Sequence, residues 1–357
     1  LIMKSYMTAA LTDIFGDVPY SEALNGKEGN VTPVYDSQEA IYTGTNGILE
    51  NLDKAIAIIN NYTGAATLEG DIFYNGDLTA WVKFANSLKI KALVRISDKV
   101  NVNADLQAIY DEGNYIKTNA ENAVFDFTAS QPNNFRISTA RVGDFNIFIM
   151  SETIEEVLKD LNDPRIGTFF RPTGNNASEY QGFLNGPDAS QTSISVADYS
   201  LSGKVFRENG ENLDANYMTA WETSLFLAEA AERGLITANA KDLYDNGVTM
   251  AFEYWQTEMP VDYLTTGNAA YNTTNALEQI ATQKWLEKIV NGYEGWIDYR
   301  RTGFPQLKTI SASLNNDLIP VRMPYPTTED ALNNTNFTVA ADATNGNSVN
   351  SPVWWDN

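Results

Sequence analysis

The amino-acid sequence predicts a mainly α-helical fold that carries a loop-rich lobe containing short strands. Two observations lead to this prediction. Apolar residues recur at the three- and four-residue spacing of helices near both ends of the 357-residue chain. Between residues 101 and 215 the sequence is instead rich in Asn, Ser, Thr, Gly and aromatic residues. We therefore expect a helical scaffold that carries loops, where binding residues are common.

The first part of the scaffold is expected within residues 1–100. The chain opens in a helical pattern without signal-peptide features, so we expect an N-terminal portion and any targeting signal to precede it. Asp36 and Glu39 form an N-cap signal before a helical pattern that continues over 48–59. A longer helix is expected over about 78–100. It is apolar on two faces, which is typical of a helix packed between neighbours.

The middle of the chain has weaker patterns. Residues 152–161 form its one clear helical pattern, and residues 124–128 alternate as a short strand does.

A helix pair is expected over 221–233 and 244–255. The pair spans roughly the 34 residues of a tetratricopeptide unit, and its Ala-rich face suits close antiparallel helices. Gly234 is expected to end the first helix. A last strong helix is expected over 276–290, ended by Asn291 and Gly292. The Pro- and Asn-rich tail over 301–357 is predicted to be mostly irregular.

Composition excludes several classes of function. A net charge of −22 opposes binding to nucleic acid or to an anionic membrane surface. The chain contains neither Cys nor His, which excludes disulfides, thiolate metal sites, a Cys nucleophile and a Ser-His-Asp triad. No apolar run reaches the length of a membrane helix. We expect no catalytic residue, no cofactor and no metal ligand. The oxygen-rich loop over 188–198 could hold calcium but lacks the ligand spacing of an EF-hand.

Ten short segments carry a resemblance to a known family. They are residues 13–23 (DIFGDVPYSEA), 33–39 (PVYDSQE), 81–89 (WVKFANSLK), 163–165 (DPR), 226–234 (FLAEAAERG), 279–285 (QIATQKW), 293–303 (YEGWIDYRRTG), 319–322 (IPVR), 325–326 (YP) and 354–356 (WWD). In this order, over nearly the whole chain, they resemble the SusD/RagB-like family of outer-membrane nutrient-binding lipoproteins, in its SusD-like 2 branch.

The resemblance implies a single SusD-like domain over residues 1–357. Its scaffold of tetratricopeptide-like helix pairs would comprise 1–100 and 216–300, with the lobe over 101–215 and the tail over 301–357. It also implies a protein at the surface of the outer membrane, held there only by a lipid anchor that is not in this chain. Such a protein captures oligosaccharides or polysaccharides, without catalysis, for a SusC-like TonB-dependent transporter.

Two of these segments are interpreted as structural. Residues 293–303 concentrate Glu294, Asp298, Arg300 and Arg301, and the five donors of an arginine are suited to pinning a segment onto the scaffold. A carboxylate–arginine binding site is the alternative. The turn over 16–20 is expected to be set by its Gly and Pro, with the following loop up to Tyr35 near the ligand face.

Aromatic side chains in polar loops are the predicted ligand-binding residues. Sugars have flat C–H faces that stack on rings, while amides bond the hydroxyls. The candidates are Phe135 and Asn133 in the loop over 131–136, Tyr180 and Phe183 in the loop over 179–186, and Tyr199 and Tyr263.

Two other classes of function stay open. A helical-repeat scaffold for a peptide or protein would bind along the inner groove of its helices. A glycoside hydrolase would need two carboxylates facing each other across a cleft. Acidic residues three apart, such as Glu229 and Glu232, are more typical of a solvated helix face.

Overall fold

The computed structural model describes residues 1–64, 67–135, 138, 148–191, 193–208, 213–308, 310 and 312–356. Within them the protein is mainly helical with one two-stranded antiparallel sheet, which confirms the predicted fold class. The helices are α1 (Ile2–Phe15), α2 (Gln38–Thr43), α3 (Ile48–Asn60), α4 (Leu78–Ile96), α5 (Asn103–Glu112), α6 (Glu152–Asp160), α7 (Arg165–Phe169), α8 (Lys204–Arg207), α9 (Ala220–Glu232), α10 (Ala240–Tyr254), α11 (Ala276–Glu287), α12 (Gly292–Thr302), α13 (Thr327–Leu332) and α14 (Asn334–Ala343). The strands are β1 (Ala123–Asp126) and β2 (Asp214–Met218).

Helix α4 lies at the centre of the scaffold and is buried on both faces, as predicted. It packs against α3, α5 and α9. The helix begins where the side chain of Asp77 accepts hydrogen bonds from two backbone amides of the first turn. It ends at Ile96, four residues before the expected end, and the amides of Lys99 and Val100 bond back to the carbonyl of Ile96 in the turn that follows.

Helices α9 and α10 form the predicted antiparallel pair. Gly234 follows α9 with a φ of 69°, the left-handed conformation expected after a helix end. Helix α10 begins at Ala240, earlier than predicted, because the side chain of Asn239 caps its first amides. A Cβ at Gly247 on α10 would lie 2.8 Å from the Leu225 side chain on α9, so a larger residue there would force Leu225 or the helix to shift.

Some elements differ from the sequence-based expectation. Helix α5 lies in the segment expected to hold one clear helix, and buries only Leu106 and Ile109. The tail is less irregular than predicted, because it contains α13 and α14. Asn333, between these two helices, donates its side-chain amide to the carbonyl of Pro33, so tertiary contacts help to hold a segment of weak helical pattern.

Buried charges join helices that are distant in sequence. The carboxylate of Glu294 on α12 forms ion pairs with two residues of α4, Lys91 at 2.8 Å and Arg95 at 3.0 Å. Arg95 also pairs with Asp13 on α1. Lys91 in turn lies 3.1 Å from Glu222 on α9. All five side chains are at most 9% exposed, so these pairs belong to the core.

A smaller hydrophobic cluster supports the lobe. It is separate from the main core of the helical scaffold and joins α6, α7 and α8 to the end of α10 and to α11. Its buried members are Met150, Ile154, Leu158, Phe169, Phe170, Phe206, Leu213, Trp255 and Leu286. The loops that contain most of the predicted ligand-binding residues are therefore mounted on a packed base.

Candidate functional site

Phe183 and Tyr199 form an aromatic pair on the lobe. Their rings meet edge to face with centroids 5.0 Å apart, and both side chains are half-buried. The backbone holds the pair in place. The amide of Phe183 donates to the carbonyl of Met150 at 2.7 Å, and its carbonyl accepts from the amide of Glu152 at 2.9 Å. Next to Tyr199, the amide of Ser200 donates to the carbonyl of Gln181 at 2.8 Å. The two predicted residues are thus brought together beside the start of α6.

Polar side chains flank Phe183 in the same loop. The Asn185 amide donates to the hydroxyl of Thr153 at 2.9 Å and is exposed. The Gln181 side chain lies 3.4 Å from Glu155, whose carboxylate also accepts the amide of Gly182 at 2.6 Å. Rings with side-chain amides in the same loop can stack on an apolar sugar face and bond its hydroxyls.

Tyr180 lies in the same loop but turns toward the lobe interior. Its ring packs against the lobe cluster, and burial raises the pKa of its hydroxyl. Its carbonyl accepts a hydrogen bond from Lys159 on α6 at 2.8 Å.

Phe135 and Asn133 lie in a different loop. The ring of Phe135 packs against Phe127 and Phe206, with centroids 5.6 Å and 6.4 Å away, so it serves mainly to cover the lobe cluster. Asn133 is exposed, and its carbonyl accepts the amide of Thr128 at 2.7 Å. Residue 136, the last of this predicted loop, lies outside the described residues. Among those described, no ring contact joins Phe135 to the aromatic pair.

Tyr263 lies in the core, which corrects its prediction as a surface platform. The side chain is 5% exposed, and its hydroxyl donates to the carboxylate of Asp163. Asp163 also pairs with Arg165, which is fully buried and donates a hydrogen bond to the side-chain amide oxygen of Gln283 at 2.8 Å. Burial raises the pKa of Tyr263 well above its usual range. The residue was predicted from its loop-like surroundings, which do not reveal the charged partners beneath it.

The segment over 293–303 forms α12, and its charged side chains are bonded within the protein. Arg301 forms a two-pronged ion pair with Glu229, with one nitrogen–oxygen distance of 2.8 Å. Arg300 donates to the carbonyls of Val321 and Asp13. These contacts support the structural interpretation of both arginines. At the turn over 16–20, Asp17 accepts the amide of Gln38 at 2.7 Å, as expected for a structural turn.

A polar cleft lies between α6 and α11 and was not predicted. It has a volume of about 520 Å³. Side chains of Glu156, Val157, Asp160 and Leu161 line one wall, Asn275, Glu278, Gln279, Thr282 and Gln283 line the other, and Asn268, Pro305 and Gln306 close the ends. The spacing of the α11 residues places them on one helix face, a signal that the sequence does contain. Only the fold shows that α6 faces them.

Metal-binding groups are not found in the part of the chain that the structure describes, where no three acidic side chains lie close enough to share an ion. In the loop over 188–198, Asp188 accepts hydrogen bonds from the amide and hydroxyl of Ser190. Those bonds lower the pKa of the Asp188 carboxyl. No described helix is both long and apolar enough to cross a membrane.

The helical scaffold with its mounted lobe defines the structural class of SusD-like proteins. Solved structures of this class superpose on nearly the whole chain. A protein named as chitin-binding is 28% identical, with a TM-score of 0.83 over 99% of this chain and 79% of that one. A SusD homologue from Bacteroides fragilis NCTC 9343 is 26% identical, with a TM-score of 0.85 over 99% and 82% of the two chains. A chitin-binding SusD homologue from Flavobacterium johnsoniae, 24% identical, shares the fold with a TM-score of 0.85 over 100% and 80%.

The chain belongs to the SusD-like_2 family, whose description is "Starch-binding associating with outer membrane" and whose profile matches residues 1–326. The family resemblance inferred from the sequence segments is thereby confirmed. A search of curated proteins finds no match to the chain.

Proposed function

We propose that this protein captures oligosaccharides at the outer membrane without cleaving them, and delivers them to a SusC-like TonB-dependent transporter. Membership of the family supports a glycan ligand. The observation that carries the site is the Phe183–Tyr199 pair, two half-buried rings fixed by main-chain bonds, with the side-chain amides of Gln181 and Asn185 in the same loop as Phe183. Lipid anchoring and exposure at the cell surface are part of the same proposal.

The structure favours a sugar bound at the aromatic pair over a peptide bound in a groove between the helices. A peptide-binding array of helices would offer an open inner surface, but α9 is buried continuously from Ala220 to Ala230 by its neighbours. The lobe pair instead lies on loops, beside hydrogen-bonding side chains. An open platform recovers less free energy by burial than a deep pocket does, while association costs at least ~4 kcal/mol. Affinity should therefore be on the order of micromolar to millimolar.

The double variant Phe183→Ala with Tyr199→Ala tests the site. We expect it to lose measurable binding to the best glycan found in an array screen, because no stacking surface would be left. Calorimetry measures the affinity, and thermal unfolding shows whether the variant is folded. Tyr293→Ala removes a ring that is 57% exposed elsewhere on the molecule and should bind normally. Unchanged affinity in the folded double variant would place the glycan site elsewhere.

Delivery to a transporter is a separate part of the proposal. Co-purification of the full-length, membrane-bound protein with a TonB-dependent transporter tests it directly.

Within the described ranges, Asp126 and Asp214 form a carboxyl pair in which the pKa of Asp214 is raised to about 6. Asp126 and Asp214 lie opposite each other on β1 and β2 and are hydrogen-bonded. Glycosidases hold their two carboxyl groups about 5–9 Å apart, with the sugar between them. A directly bonded pair leaves no such space. We therefore expect no new reducing ends when the protein is incubated with its ligand. A steady release proportional to protein concentration would contradict this.

A further inference from the structure

The cleft between α6 and α11 contains a row of polar side chains without protein partners. Glu278 and Thr282 follow one another at helical spacing along α11, and the exposed Asn275 lies just before the first residue of that helix. Within the described ranges, none of these three side chains has a hydrogen-bond or ion-pair partner. The Glu278 and Thr282 side chains are half-buried, so they face the cleft rather than open solvent.

The floor of the cleft is rigid. Gln279 is 7% exposed, and its amide donates to the carbonyls of Asn268 and Ala270, both at 2.8 Å. Gln283 is 1% exposed and accepts from Arg165. Side chains fixed in this way hold the unpartnered row in position, and prior ordering reduces the entropy lost when a ligand binds. The volume of about 520 Å³ is also typical of a small-molecule site.

The charge of the cleft is negative. Three carboxylates line it, from Glu156, Asp160 and Glu278, and none of the lining residues is basic. Lys308 offsets only one of them, because its ammonium group pairs with Glu156 and with Glu152. Asp160 accepts a hydrogen bond from the neutral amide of Asn268 at 3.0 Å. Two acidic side chains on opposite walls therefore lack a cationic partner in the described structure.

We propose that this cleft binds a hydroxylated ligand with a protonated amine, namely an oligosaccharide of glucosamine with free 2-amino groups. Amide and hydroxyl groups match the sugar hydroxyls, and Glu278 with Asp160 would pair with the ammonium group. Uronic or sulfated sugars would be repelled. The cleft lies on a different face of α6 from the aromatic pair, so it forms a second subsite. The choice of a sugar, rather than another amine, rests on the proposed function.

Calorimetry with tetramers of glucosamine and of N-acetylglucosamine tests the proposal. The two probes differ in the charge on nitrogen. We expect the intact protein to bind the glucosamine tetramer at least tenfold more tightly, and Glu278→Gln combined with Asp160→Asn to abolish the difference. Glu112→Gln, which removes one exposed negative charge outside the cleft, is the control. It lies exposed on α5, which packs against α4, and should keep the preference. Thermal unfolding confirms that the variants fold.

Each outcome distinguishes the cleft from the proposed function. Equal affinity for the two tetramers, or no binding of the glucosamine tetramer, would overturn the cleft assignment. A preference that Glu112→Gln reduces as much as the double variant does would also overturn it, because it would show general attraction to an acidic protein. Neutral glycans that bind through Phe183 and Tyr199 would still support glycan capture. Binding of the glucosamine tetramer alone would support the cleft and count against capture of neutral glycans.

Discussion

A buried charged side chain stabilises this fold only while its oppositely charged partner is present. Arg301 is 4% exposed and lies between Glu229 and Asp298, which are equally hidden. Removing it would leave the Glu229 charge with less compensation in a region without solvent. Breaking a buried pair in this way typically costs about 3–5 kcal/mol.

We expect Arg301→Ala to lower the free energy of unfolding by about 3–5 kcal/mol, measured by urea unfolding at pH 7. Lys308→Ala is the control, because its side chain is 45% exposed and surface pairs contribute only about 0–1 kcal/mol. If Arg301→Ala kept normal stability but lost glycan, α12 would belong to a binding site.

For single residues, the sequence could not distinguish an aromatic side chain of the candidate site from one that is buried in the core. Phe183 and Tyr199 were predicted from their polar, loop-rich surroundings, and the fold does bring them together. Tyr263 has similar surroundings but lies 5% exposed over Asp163 and Arg165. Its partners are about 100 residues away in sequence, so no local pattern could separate the two cases. Whether the aromatic pair binds a sugar stays a prediction.

At the scale of elements, apolar periodicity was enough to predict the helices that are buried along most of their length. Helices α4 and α9 bury most of their length, and both were predicted to within a few residues at each end. Helices α5, α13 and α14 bury little apolar surface and were missed, because contacts with distant segments help to hold them, such as the hydrogen bond that the Tyr35 hydroxyl donates to Glu329 on α13. The α6–α11 cleft was missed for a related reason. The sequence shows that the residues of each wall share one face of a helix. It does not show that α6 and α11 face each other, because that depends on tertiary packing.

The β1–β2 ribbon should make stability depend on pH. Burial, and then the neighbouring Asp126, raises the pKa of Asp214 from 3.8 to about 6. The folded state therefore holds this proton over a pH range in which the unfolded state has released it. Stability from this group is full below pH 3.8 and falls as pH rises toward 6.

We expect Asp214→Asn to raise the melting temperature at pH 7 relative to the intact protein, with the gain shrinking to nothing near pH 3.5. Thermal unfolding over this pH range measures the effect, with the exposed Asp105→Asn on α5 as control. A gain that did not vary with pH would show that the ribbon carboxyls do not share a proton.

At the scale of the whole molecule, buried charges tie the ends of the chain to its middle. Asp13 on α1, Arg95 on α4 and Glu294 on α12 form one continuous set of pairs. Burial alone would raise the pKa of Glu294, but the charges of Lys91, Arg95 and Lys288 outweigh it and hold that pKa well below its usual range. Glu229 is held down in the same way by Arg301 and Lys284.

These depressed pKa values predict how the protein unfolds in acid. A carboxyl whose folded pKa lies below its unfolded value of 4.5 contributes stability that is fully present above pH 4.5. That contribution is lost as pH falls further, because the unfolded state takes up protons that the folded state resists. Since the pairs link helices across the whole scaffold, we expect one cooperative acid transition of the helices below pH 4.5, followed by circular dichroism and tryptophan fluorescence.

Glu229→Gln tests the origin of this transition. The variant lacks the carboxyl, so it should be about 3–5 kcal/mol less stable than the intact protein at pH 7, where Arg301 and Lys284 lose their partner. The deficit should shrink steadily as pH falls below 4.5, because the intact protein then loses the same contribution by protonation. Urea unfolding at pH 7, 5 and 3.5 measures both proteins, with Glu112→Gln as an exposed control of equal charge change. A deficit that stays constant across these pH values would show that acid unfolding begins at other carboxyls.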